Sequence, residues 1–539
     1  MKAPSTSGRS TTCSPTCRSP SSFPTPNGWQ HWVPNNTPRT ASTLLAPSLT
    51  TARRTHETRS ECRERIWETS GMPRDITKEE IDTVDAMIAR ARAAMDAIKD
   101  YDQAQVDRLA RALGWHCGNE TTFVRIAQMG VDESGIGDRA GRAGKRFKVL
   151  GVLRDALRQK SVGVIEDIPE KGITKIGKPA GVIASLIPTT NPELTPPVTG
   201  IYAVKCKDAV IFSPHPRAKN TTNEMVRVMR ATLTKLGAPA DIFQCVENPS
   251  IPMTNYLMSR CDLTLATGGK PMVRAAYSSG KPAFGVGAGN STMVIDETAN
   301  IAEAAQNTRV SKLSDFGSGC SADGNLVIVD QVYDQMKAAL IAEGAYLCSD
   351  AEKERLAKAL WDEDGGRRIE TVAVSAKKIA EAAGIDLPDH CKFIMVEQEG
   401  IGKEHPFSRE KLSVTLALFR AKDFDDALAK VRAIFEVGGK GHSCGIYSFD
   451  EERILRHAEN APVSRVMVRQ PQSKANAGSF SNGMPMTSSL GCGIWGGNIT
   501  NENVSLKHYM NVTWVARPIP EDRPSDEELF GEFYNTEVM

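Results

Sequence analysis

Short apolar runs that alternate with helical segments are the feature that most constrains the fold of this chain. The runs "GVIASLIP", "DAVIFSP" and "CDLTLATGG" have the length of buried strands. Between the second and the third, "TTNEMVRVMRATLTKLGAP" predicts a helix that is capped by Thr221 or Thr222 and stopped by Gly237 and Pro239. Strand, crossover helix and strand in this order predict a parallel sheet that is covered on both faces.

The same alternation returns in the second half of the chain. "NLVIVDQVYDQMKAALIAEGAYL" and "LSVTLALFRAKDFDDALAKVRAIF" each have the pattern of a strand followed by a helix, which predicts a second α/β domain. Ligands of parallel sheets bind at the carboxyl ends of the strands, so the loops at 188–193, 213–219 and 266–271 should line one edge of the first sheet. The glycines of "GVGAGN" at 285–290 loosely resemble a dinucleotide-binding loop.

Charge and cysteine usage exclude several classes of protein. The 539 residues include 66 basic and 65 acidic side chains, a balance that gives no reason to expect a nucleic acid partner. No apolar run approaches the length that crosses a bilayer, so we expect no membrane association. The 12 cysteines lack zinc-ligand spacing, which predicts a cytoplasmic protein with reduced thiols and no metal site.

Residues 1–71 differ in composition from the rest of the chain. They are rich in Ser, Thr, Pro and Arg, and no acidic residue precedes Glu57. Such a segment buries too little apolar surface to fold, so we predict a disordered tail or a mis-assigned start, with translation beginning at Met72. An Arg- and Ser-rich segment also fits a transit peptide, but its prolines oppose the amphipathic helix that such peptides form.

One thiol stands where little can pack against it. Cys320 lies in "SKLSDFGSGCSADG", where Gly317 and Gly319 let the backbone approach a substrate closely. A cysteine in this setting is either a nucleophile or an ordinary turn residue. Cys444 in "HSCGIY" and Cys492 in "LGCGIW" also lie beside glycines, so spacing alone does not select Cys320.

Several short motifs follow one another along the folded part of the chain: "PTTNP", "IFSPHPRAKN", "ATGG", "AAYSSGKPAFGVGAGN", "IDETANI", "FRAKDF", "GGKGHSCGIY" and "LGCGIWGGN". Together they resemble the aldehyde dehydrogenase superfamily and, within it, the coenzyme A-acylating branch, from about Arg125 to about His508. The resemblance implies an α/β fold with a Rossmann-type nucleotide-binding domain at 72–310, a catalytic thiol domain at 311–495 and a C-terminal return segment at 496–539. It also implies a small oligomerisation hairpin near 160–178 and a homodimer or homotetramer.

The resemblance assigns catalytic roles to three residues. Cys320 falls at the position of the thiol that adds to the aldehyde. Asn191 of "PTTNP" matches the side-chain donor that stabilises the resulting oxyanion, and His442 of "GGKGHSCGIY" matches a histidine that assists deprotonation of the incoming thiol. The chain departs from the branch directly after the nucleophile, where "SADG" stands in place of the usual Ser-Glu-Gln.

The resemblance also implies a nicotinamide cofactor. Thr267, Gly268 and Gly269 follow a strand and open a helix, so their N–H groups can meet a pyrophosphate. Glu410 matches the glutamate that holds the nicotinamide ribose, although Val414 replaces the usual proline. In "SPHPRAK" a Pro-His pair stands where hydrolytic relatives have a lysine beside the adenosine ribose, which leaves NAD and NADP both open. The other members of the predicted cofactor site are Thr189, Pro214, His215 and Gly287.

A missing glutamate separates two possible reactions. Hydrolytic relatives activate water with a glutamate at the start of a Glu-Leu-Gly-Gly-Lys-like stretch, and this chain has Gly285 at that position. Without the base, attack of water on the thioester is slow and the thiolate of coenzyme A can take the acyl group. We therefore predict a CoA-acylating aldehyde dehydrogenase that uses NAD or NADP.

The identity of the aldehyde is less constrained by the sequence. Residues 135–172 resemble stand-alone enzymes that act on sulfoacetaldehyde, and acetaldehyde or propionaldehyde is the alternative substrate. Two other functions stay open at this point. The first is a hydrolytic dehydrogenase that takes its base from elsewhere, and the second is a binding or scaffold protein that retains the fold without catalysis.

Overall fold

The computed structural model describes residues 74–538, so the predicted tail or mis-assigned start at 1–71 lies outside the described residues. Thr77 and Glu80 form a reciprocal capping box in which each side chain accepts a hydrogen bond from the other residue's backbone N–H. The first five helices are α1 (Lys78–Ala97), α2 (Gln103–Gly118), α3 (Glu120–Ser134), α4 (Arg139–Gly144) and α5 (Arg146–Leu157).

An antiparallel hairpin follows these helices. It consists of β1 (Gly163–Ile168) and β2 (Ile173–Pro179), joined by a short turn in which Gly172 has a positive φ of 62°. The hairpin lies where the sequence places the oligomerisation element, near 160–178. Its first strand is largely exposed, so it contributes little to the core.

The first large sheet is parallel throughout and has the order β5-β4-β3-β6-β7. Its strands are β3 (Val182–Ile187), β4 (Ala209–Pro214), β5 (Phe243–Cys245), β6 (Leu263–Thr267) and β7 (Ala283–Val286). Its helices are α6 (Thr195–Cys206), α7 (Lys219–Lys235), α8 (Ile251–Arg260) and α9 (Lys270–Tyr277). This arrangement confirms the α/β class predicted from the alternating runs.

Helices cover this sheet on both faces. Along β3, Val182, Ala184 and Leu186 pack into a core with α1 and α8, while Ile183 and Ile187 pack into a second core with α2, α3 and α6. Successive strand residues point to opposite faces, so a strand that is buried on both faces must be apolar at every position. This requirement explains why "VIASLI" contains no long polar side chain.

The predicted cap of α7 is wrong. The helix begins at Lys219, two residues before the first threonine, and its N-cap is Ala218. Thr221 is buried in the first turn and its hydroxyl donates to the carboxylate of Glu133. Gly237 follows the helix with a φ of 74°, in agreement with the predicted stop.

The second large sheet is also parallel and has the order β10-β11-β12-β9-β8-β13-β14. Its strands are β8 (Thr292–Ile295), β9 (Asn325–Val329), β10 (Ala345–Leu347), β11 (Phe393–Glu397), β12 (Thr415–Ala421), β13 (Cys444–Tyr447) and β14 (Val466–Val468). Its helices are α10 (Ile301–Leu313), α11 (Asp330–Ala342), α12 (Asp350–Leu360), α13 (Ala376–Ala383), α14 (Phe424–Val437), α15 (Glu451–Asn460) and α16 (Gln472–Ala475).

The change from one sheet to the other occurs earlier than the predicted boundary between 310 and 311. Strand β8 precedes that boundary but pairs with β9 and β13 in the second sheet. The reason is topological: β7 is an edge strand of the first sheet, and the chain leaves it through "GAGN" and enters the second sheet directly. The segment that crosses between the sheets is therefore 287–291.

The end of the chain returns to the hairpin. Strand β15 (Met510–Ala516) pairs antiparallel with β2 and completes a three-stranded sheet of order β1-β2-β15, within the predicted return segment 496–539. A short helix, α17 (Asp526–Phe530), follows. Among the described helices, none combines the length and the apolar composition needed to cross a membrane.

Candidate active site

A left-handed turn presents Cys320. Directly after α10, Asp315, Phe316 and Gly317 have φ values of 50°, 51° and 70°. A left-handed conformation costs a residue with a side chain about 1–2 kcal/mol, so this turn persists only because its surroundings hold it. A Cβ at Gly317 would also lie 2.5 Å from the carbonyl oxygen of Ser413, so this position admits only glycine.

The turn is held by a buried carboxylate. The Oδ2 atom of Asp315 accepts hydrogen bonds from Arg142 Nε at 3.0 Å, Lys145 Nζ at 2.7 Å and Ser318 Oγ at 2.7 Å. Arg142 also contacts Glu193 Oε2 at 3.3 Å. Burial alone would raise the pKa of Asp315, but the positive charges of Lys145 and Arg142 outweigh this effect and keep that pKa below its usual value. The carboxylate is therefore ionised and fully paired.

Cys320 and His442 form a hydrogen-bonded pair. His442 Nε2 lies 3.0 Å from Cys320 Sγ, and His442 Nδ1 lies 2.8 Å from Ser443 Oγ. Burial, with a contribution from Glu410, raises the pKa of the Cys320 thiol to about 12. Burial, with Arg465 nearby, lowers the pKa of His442 to about 3. Both partners are neutral at rest, so the imidazole Nε2 accepts the thiol proton.

A chain of buried polar groups extends from this histidine. Ser443 Oγ accepts from Asn476 Nδ2 at 3.1 Å, Asn476 is bonded to Gln472, and Gln472 Nε2 donates to Asp323 Oδ1 at 2.6 Å. Burial raises the pKa of Asp323 to about 6. The departure "SADG" after the nucleophile thus places a buried carboxyl group at the far end of the network that holds His442.

Asn191 is oriented by a lysine. Its Oδ1 accepts a hydrogen bond from Lys145 Nζ at 2.7 Å. Because the oxygen of the amide is engaged, the Nδ2 group is the end that remains to donate to a ligand. Sequence reasoning missed Lys145, since its partners Asn191 and Asp315 are 46 and 170 residues away and nothing local to "RAGKRFK" indicates them.

Most of the predicted site residues line one cavity of about 380 Å³. The predicted residues in its wall are Thr189, Asn191, His215, Thr267, Gly268, Gly269, Gly287, Cys320 and Glu410. His442 lies behind the thiol and is fully buried. Pro214 is the exception: it ends β4, is buried, and lies outside the cavity wall, because the chain turns outward only at His215.

The cofactor end of this cavity has the donor set that a dinucleotide requires. Helix α9 begins after Gly269 without a side-chain cap; Pro271 has no N–H and the Met272 N–H donates to the Gly269 carbonyl, so the donors for a ligand are the N–H groups that precede Pro271. Glu410 is the carboxylate that lines the cavity among the described residues, and its Oε1 accepts from the Gly289 N–H at 3.1 Å. Burial raises the pKa of Glu410 to about 7. Free N–H groups suit a pyrophosphate, and the carboxylate suits a ribose hydroxyl.

Strand β7 has no room for a catalytic base at Gly285. A Cβ at this glycine would lie 2.8 Å from Tyr277 Cε2 and 2.8 Å from Val273 Cγ1. The hydroxyl of Tyr277 also bonds both the N–H and the carbonyl of Gly285. A glutamate side chain at this position would displace the aromatic ring and break both hydrogen bonds.

The other two glycine-flanked cysteines are not accessible. Cys444 is buried with its sulfur 3.2 Å from His457 Nε2, and Cys492 is 1% exposed. Cys320 is partly exposed and its neighbours Gly319 and Ser321 line the cavity with it. Of the three glycine-flanked cysteines, Cys320 is therefore the one that a substrate in the cavity can reach.

Comparison with known proteins gives consistent matches. A model of the aldehyde dehydrogenase family matches residues 64–371. The chain is 43% identical to a sulfoacetaldehyde dehydrogenase of Acholeplasma sp over 451 residues, which cover 83% of this chain and 93% of the relative. It is 40% identical to an acylating sulfoacetaldehyde dehydrogenase of Bilophila wadsworthia over 457 residues, which cover 84% and 98%.

Solved structures agree with these relatives. An acetylating aldehyde dehydrogenase from Geobacillus thermoglucosidasius matches with a TM-score of 0.80 and 35% identity, covering 84% of this chain and 100% of that one. A propionaldehyde dehydrogenase from Rhodopseudomonas palustris, solved with bound CoA and an acylated cysteine, matches with a TM-score of 0.72 and 28% identity, covering 80% and 97%. The chain therefore belongs to the aldehyde dehydrogenase family, and the predicted resemblance to its acylating branch is confirmed.

Removal of the buried arginine tests the role of the ion cluster. Arg142→Ala leaves Asp315 and Glu193 without their shared cation, and breaking a buried pair in this way costs about 3–5 kcal/mol of unfolding free energy. Urea unfolding followed by circular dichroism measures the loss. Arg125→Ala, which breaks an exposed pair with Glu224, serves as the control and should cost about 1 kcal/mol or less. Equal effects of the two variants would contradict a special role for the cluster.

Alkylation of Cys320 tests the neutral resting pair. Because the pKa of the thiol is raised to about 12, the rate of iodoacetamide modification in the free enzyme should rise about tenfold per pH unit from pH 7 to 9. Mass spectrometry of the Cys320 peptide follows the rate, and Cys320→Ala identifies that peptide. A rate that levels off below pH 8 would indicate a thiolate at rest and would contradict this assignment.

Proposed function

We propose that this chain is a CoA-acylating aldehyde dehydrogenase that converts sulfoacetaldehyde to sulfoacetyl-CoA with NAD or NADP. The observation that carries the proposal is the 3.0 Å contact between Cys320 Sγ and His442 Nε2 beside a cavity with no base at Gly285. The two sulfoacetaldehyde dehydrogenases that are 43% and 40% identical to the chain support the substrate. The bound CoA and acylated cysteine of the propionaldehyde dehydrogenase support the acyl acceptor.

The first step is addition of the thiol to the aldehyde. The Cys320 sulfur forms a bond to the carbonyl carbon while its proton passes to His442 Nε2, and the carbonyl electron pair moves to the oxygen. Asn191 Nδ2 and the Cys320 N–H donate to this oxyanion. Each such donor is typically worth about 2.7–4 kcal/mol of the barrier. Transfer of the proton during attack avoids a free thiolate, which the buried site disfavours.

Oxidation leaves a thioester on Cys320. When bound, the nicotinamide dinucleotide supplies the hydride acceptor, and Thr267, Gly268, Gly269 and Glu410 are the residues that would hold it. The glycine N–H groups would meet its phosphates, and the carboxylate would accept from a ribose hydroxyl. The low pKa of His442 returns the imidazole to its neutral form before the next step.

The acyl group then passes to coenzyme A. Neutral His442 accepts the proton of the incoming thiol, the new sulfur bonds to the acyl carbon, and the Cys320 sulfur leaves with its electron pair and regains a proton. Water is a poorer competitor because no carboxylate occupies the position of Gly285 to deprotonate it. The two half-reactions share one histidine and one cysteine, as a ping-pong mechanism requires.

One observation favours a second candidate function, a hydrolytic dehydrogenase. Glu410 lines the same cavity, and a carboxyl group with a pKa near 7 is suited to accept a proton from water. Against this role, its Oε1 already accepts from Gly289 N–H and the ribose of a cofactor competes for it. Formation of the free acid rather than the CoA thioester would favour hydrolysis.

We infer from the same resemblance that the protein is a cytoplasmic homodimer or homotetramer. The sheet β1-β2-β15 supports an association surface, because Val512 and Trp514 share one of its faces and are exposed at 39% and 60%. The free cysteines of the described residues support a reducing compartment.

Dependence on coenzyme A tests the proposed reaction. The full chain, given sulfoacetaldehyde with NAD or NADP, should reduce the cofactor continuously only when coenzyme A is present. Cys320→Ala should lower turnover on the order of 10³-fold or more, because it removes the nucleophile. Cys348→Ala, which changes another partly exposed cysteine outside the cavity, is the control and should retain turnover.

Two results of this assay would contradict the proposal. Equal turnover without coenzyme A, with sulfoacetate as product, would establish hydrolysis. A scaffold protein would be favoured if no aldehyde were turned over and Cys320 were alkylated no faster than the other cysteines.

Substitution of the histidine tests its part in proton transfer. His442→Gln preserves polar contacts but cannot accept a proton, so turnover should fall about 10²–10⁴-fold. Stopped-flow measurement of the first turnover and of acyl transfer separates the two half-reactions, and both should slow. His457→Gln, at the buried histidine that contacts Cys444, is the matched control. An unchanged first turnover in His442→Gln would restrict the histidine to acyl transfer.

A further inference from the structure

Three lysines share the cavity wall with the nucleophile and the oxyanion donor. Lys145 and Lys148 lie one turn apart at the start of α5, and Lys474 lies in α16. We infer that the three ammonium groups form a subsite for the sulfonate of the aldehyde, an inference that rests on the proposed substrate. None of these residues was identified from the sequence.

Two of these lysines donate to neutral oxygen atoms and form no salt bridge with an acidic side chain within residues 74–538. Lys148 Nζ donates to the carbonyl oxygens of Ala477 at 2.9 Å and Gly478 at 2.6 Å. Lys474 Nζ donates to Ser314 Oγ at 2.9 Å. Each ammonium has three donors, so Lys474 keeps donors for a ligand.

The third lysine is paired, but its partner is shared. Lys145 Nζ forms a salt bridge with Asp315 Oδ2, and the same oxygen forms a salt bridge with Arg142. Glu193 balances the arginine, so this group of four side chains is close to neutral. Lys148 and Lys474 therefore add positive charge that no direct ion pair among the described residues offsets, although Asp138 and Asp315 act on Lys474 through space. An anionic ligand is the group that would complete the charge balance.

The lysines are close enough to oppose one another. Burial lowers the pKa of Lys148 to about 7, with a further contribution from the charge of Lys474. Burial and the charge of Lys145 also lower the pKa of Lys474, and the carboxylates of Asp138 and Asp315 offset part of this effect. Like charges that destabilise one another in the free protein are stabilised together when an anion lies among them. The three lysines therefore favour binding of an aldehyde that carries a negatively charged substituent.

The position of the cluster suits a group on the carbon next to the aldehyde. Lys145 Nζ is 2.7 Å from Asn191 Oδ1, and the amide of the same asparagine is the donor for the aldehyde oxygen. Ser314 and Ser318, which precede Cys320 in the chain and line the same cavity, add hydroxyl groups. A sulfonate offers three oxygens to this set, whereas acetaldehyde and propionaldehyde offer an apolar methyl or ethyl group.

Substrate discrimination by lysine variants tests the subsite. Lys474→Met retains the length of the side chain without its charge. The ratio of kcat/KM for sulfoacetaldehyde to kcat/KM for propionaldehyde should fall about 10- to 100-fold, the usual worth of a charge-assisted contact. Lys148→Met should lower the same ratio, and Lys474→Arg should restore most of it. Lys160→Met, at an exposed lysine beyond α5, should leave the ratio unchanged.

Ethanesulfonate provides a second readout that does not depend on turnover of the sulfonated aldehyde. It carries the anionic group without an aldehyde, so it should inhibit propionaldehyde oxidation competitively, and its inhibition constant should rise at least tenfold in Lys474→Met. Succinate semialdehyde, which bears a carboxylate farther from the aldehyde, distinguishes a general anion site from a sulfonate site.

The possible outcomes separate the subsite from the proposed function. An equal loss of kcat/KM on charged and neutral aldehydes, or no change in the ethanesulfonate inhibition constant, would overturn the subsite and leave the acylating reaction intact. A wild-type enzyme that oxidises propionaldehyde but not sulfoacetaldehyde would overturn the proposed substrate. If the lysine variants then affected only succinate semialdehyde, the anion subsite would stand with a carboxylate as its ligand.

Discussion

One buried carboxylate, Asp315, supports the whole arrangement of the site. It pairs with Arg142 and Lys145 and accepts from Ser318, and these bonds hold a left-handed turn that is unfavourable in isolation. The same Lys145 fixes the amide of Asn191. Cys320 and Asn191, the proposed nucleophile and oxyanion donor, lie on loops more than a hundred residues apart, yet one ion cluster contacts the turn before Cys320 and the amide of Asn191. Precise placement of this kind is what converts bound substrate into a reactive geometry.

Burial sets the electrostatics of the reaction. It disfavours the charged form of both Cys320 and His442, so the resting pair is a thiol hydrogen-bonded to a neutral imidazole. Proton transfer then has to accompany the bond that forms at the carbonyl carbon, and a bound aldehyde is required for it. A thiol that is neutral in the absence of substrate is also protected from oxidation, because thiolates are the reactive form.

The sequence was sufficient for the sheets but not for the groups that hold Cys320 and Asn191 in place. Apolar runs and their glycine ends predicted β3, β4 and β6, since a strand buried on both faces must be apolar throughout. The cap of α7 was wrong because Thr221 is used in a tertiary contact with Glu133. Lys145 and Asp315 could not have been found, because a hydrogen bond across 170 residues leaves no local pattern. The chain of hydrogen bonds that links Asp323 to His442 also joins residues far apart in the sequence, so it could not have been found from the sequence either.

In the proposed reaction, the acyl group stays on Cys320 as a thioester until the thiol of coenzyme A removes it. Intact-protein mass spectrometry of the enzyme with sulfoacetaldehyde and oxidised cofactor, in the absence of coenzyme A, measures this directly. We expect a sulfoacetyl adduct on Cys320, located by peptide mapping, that persists over many turnover times and disappears when coenzyme A is added, with sulfoacetyl-CoA as product. An adduct that decays to sulfoacetate without coenzyme A, or an adduct on a different cysteine, would contradict the proposed reaction.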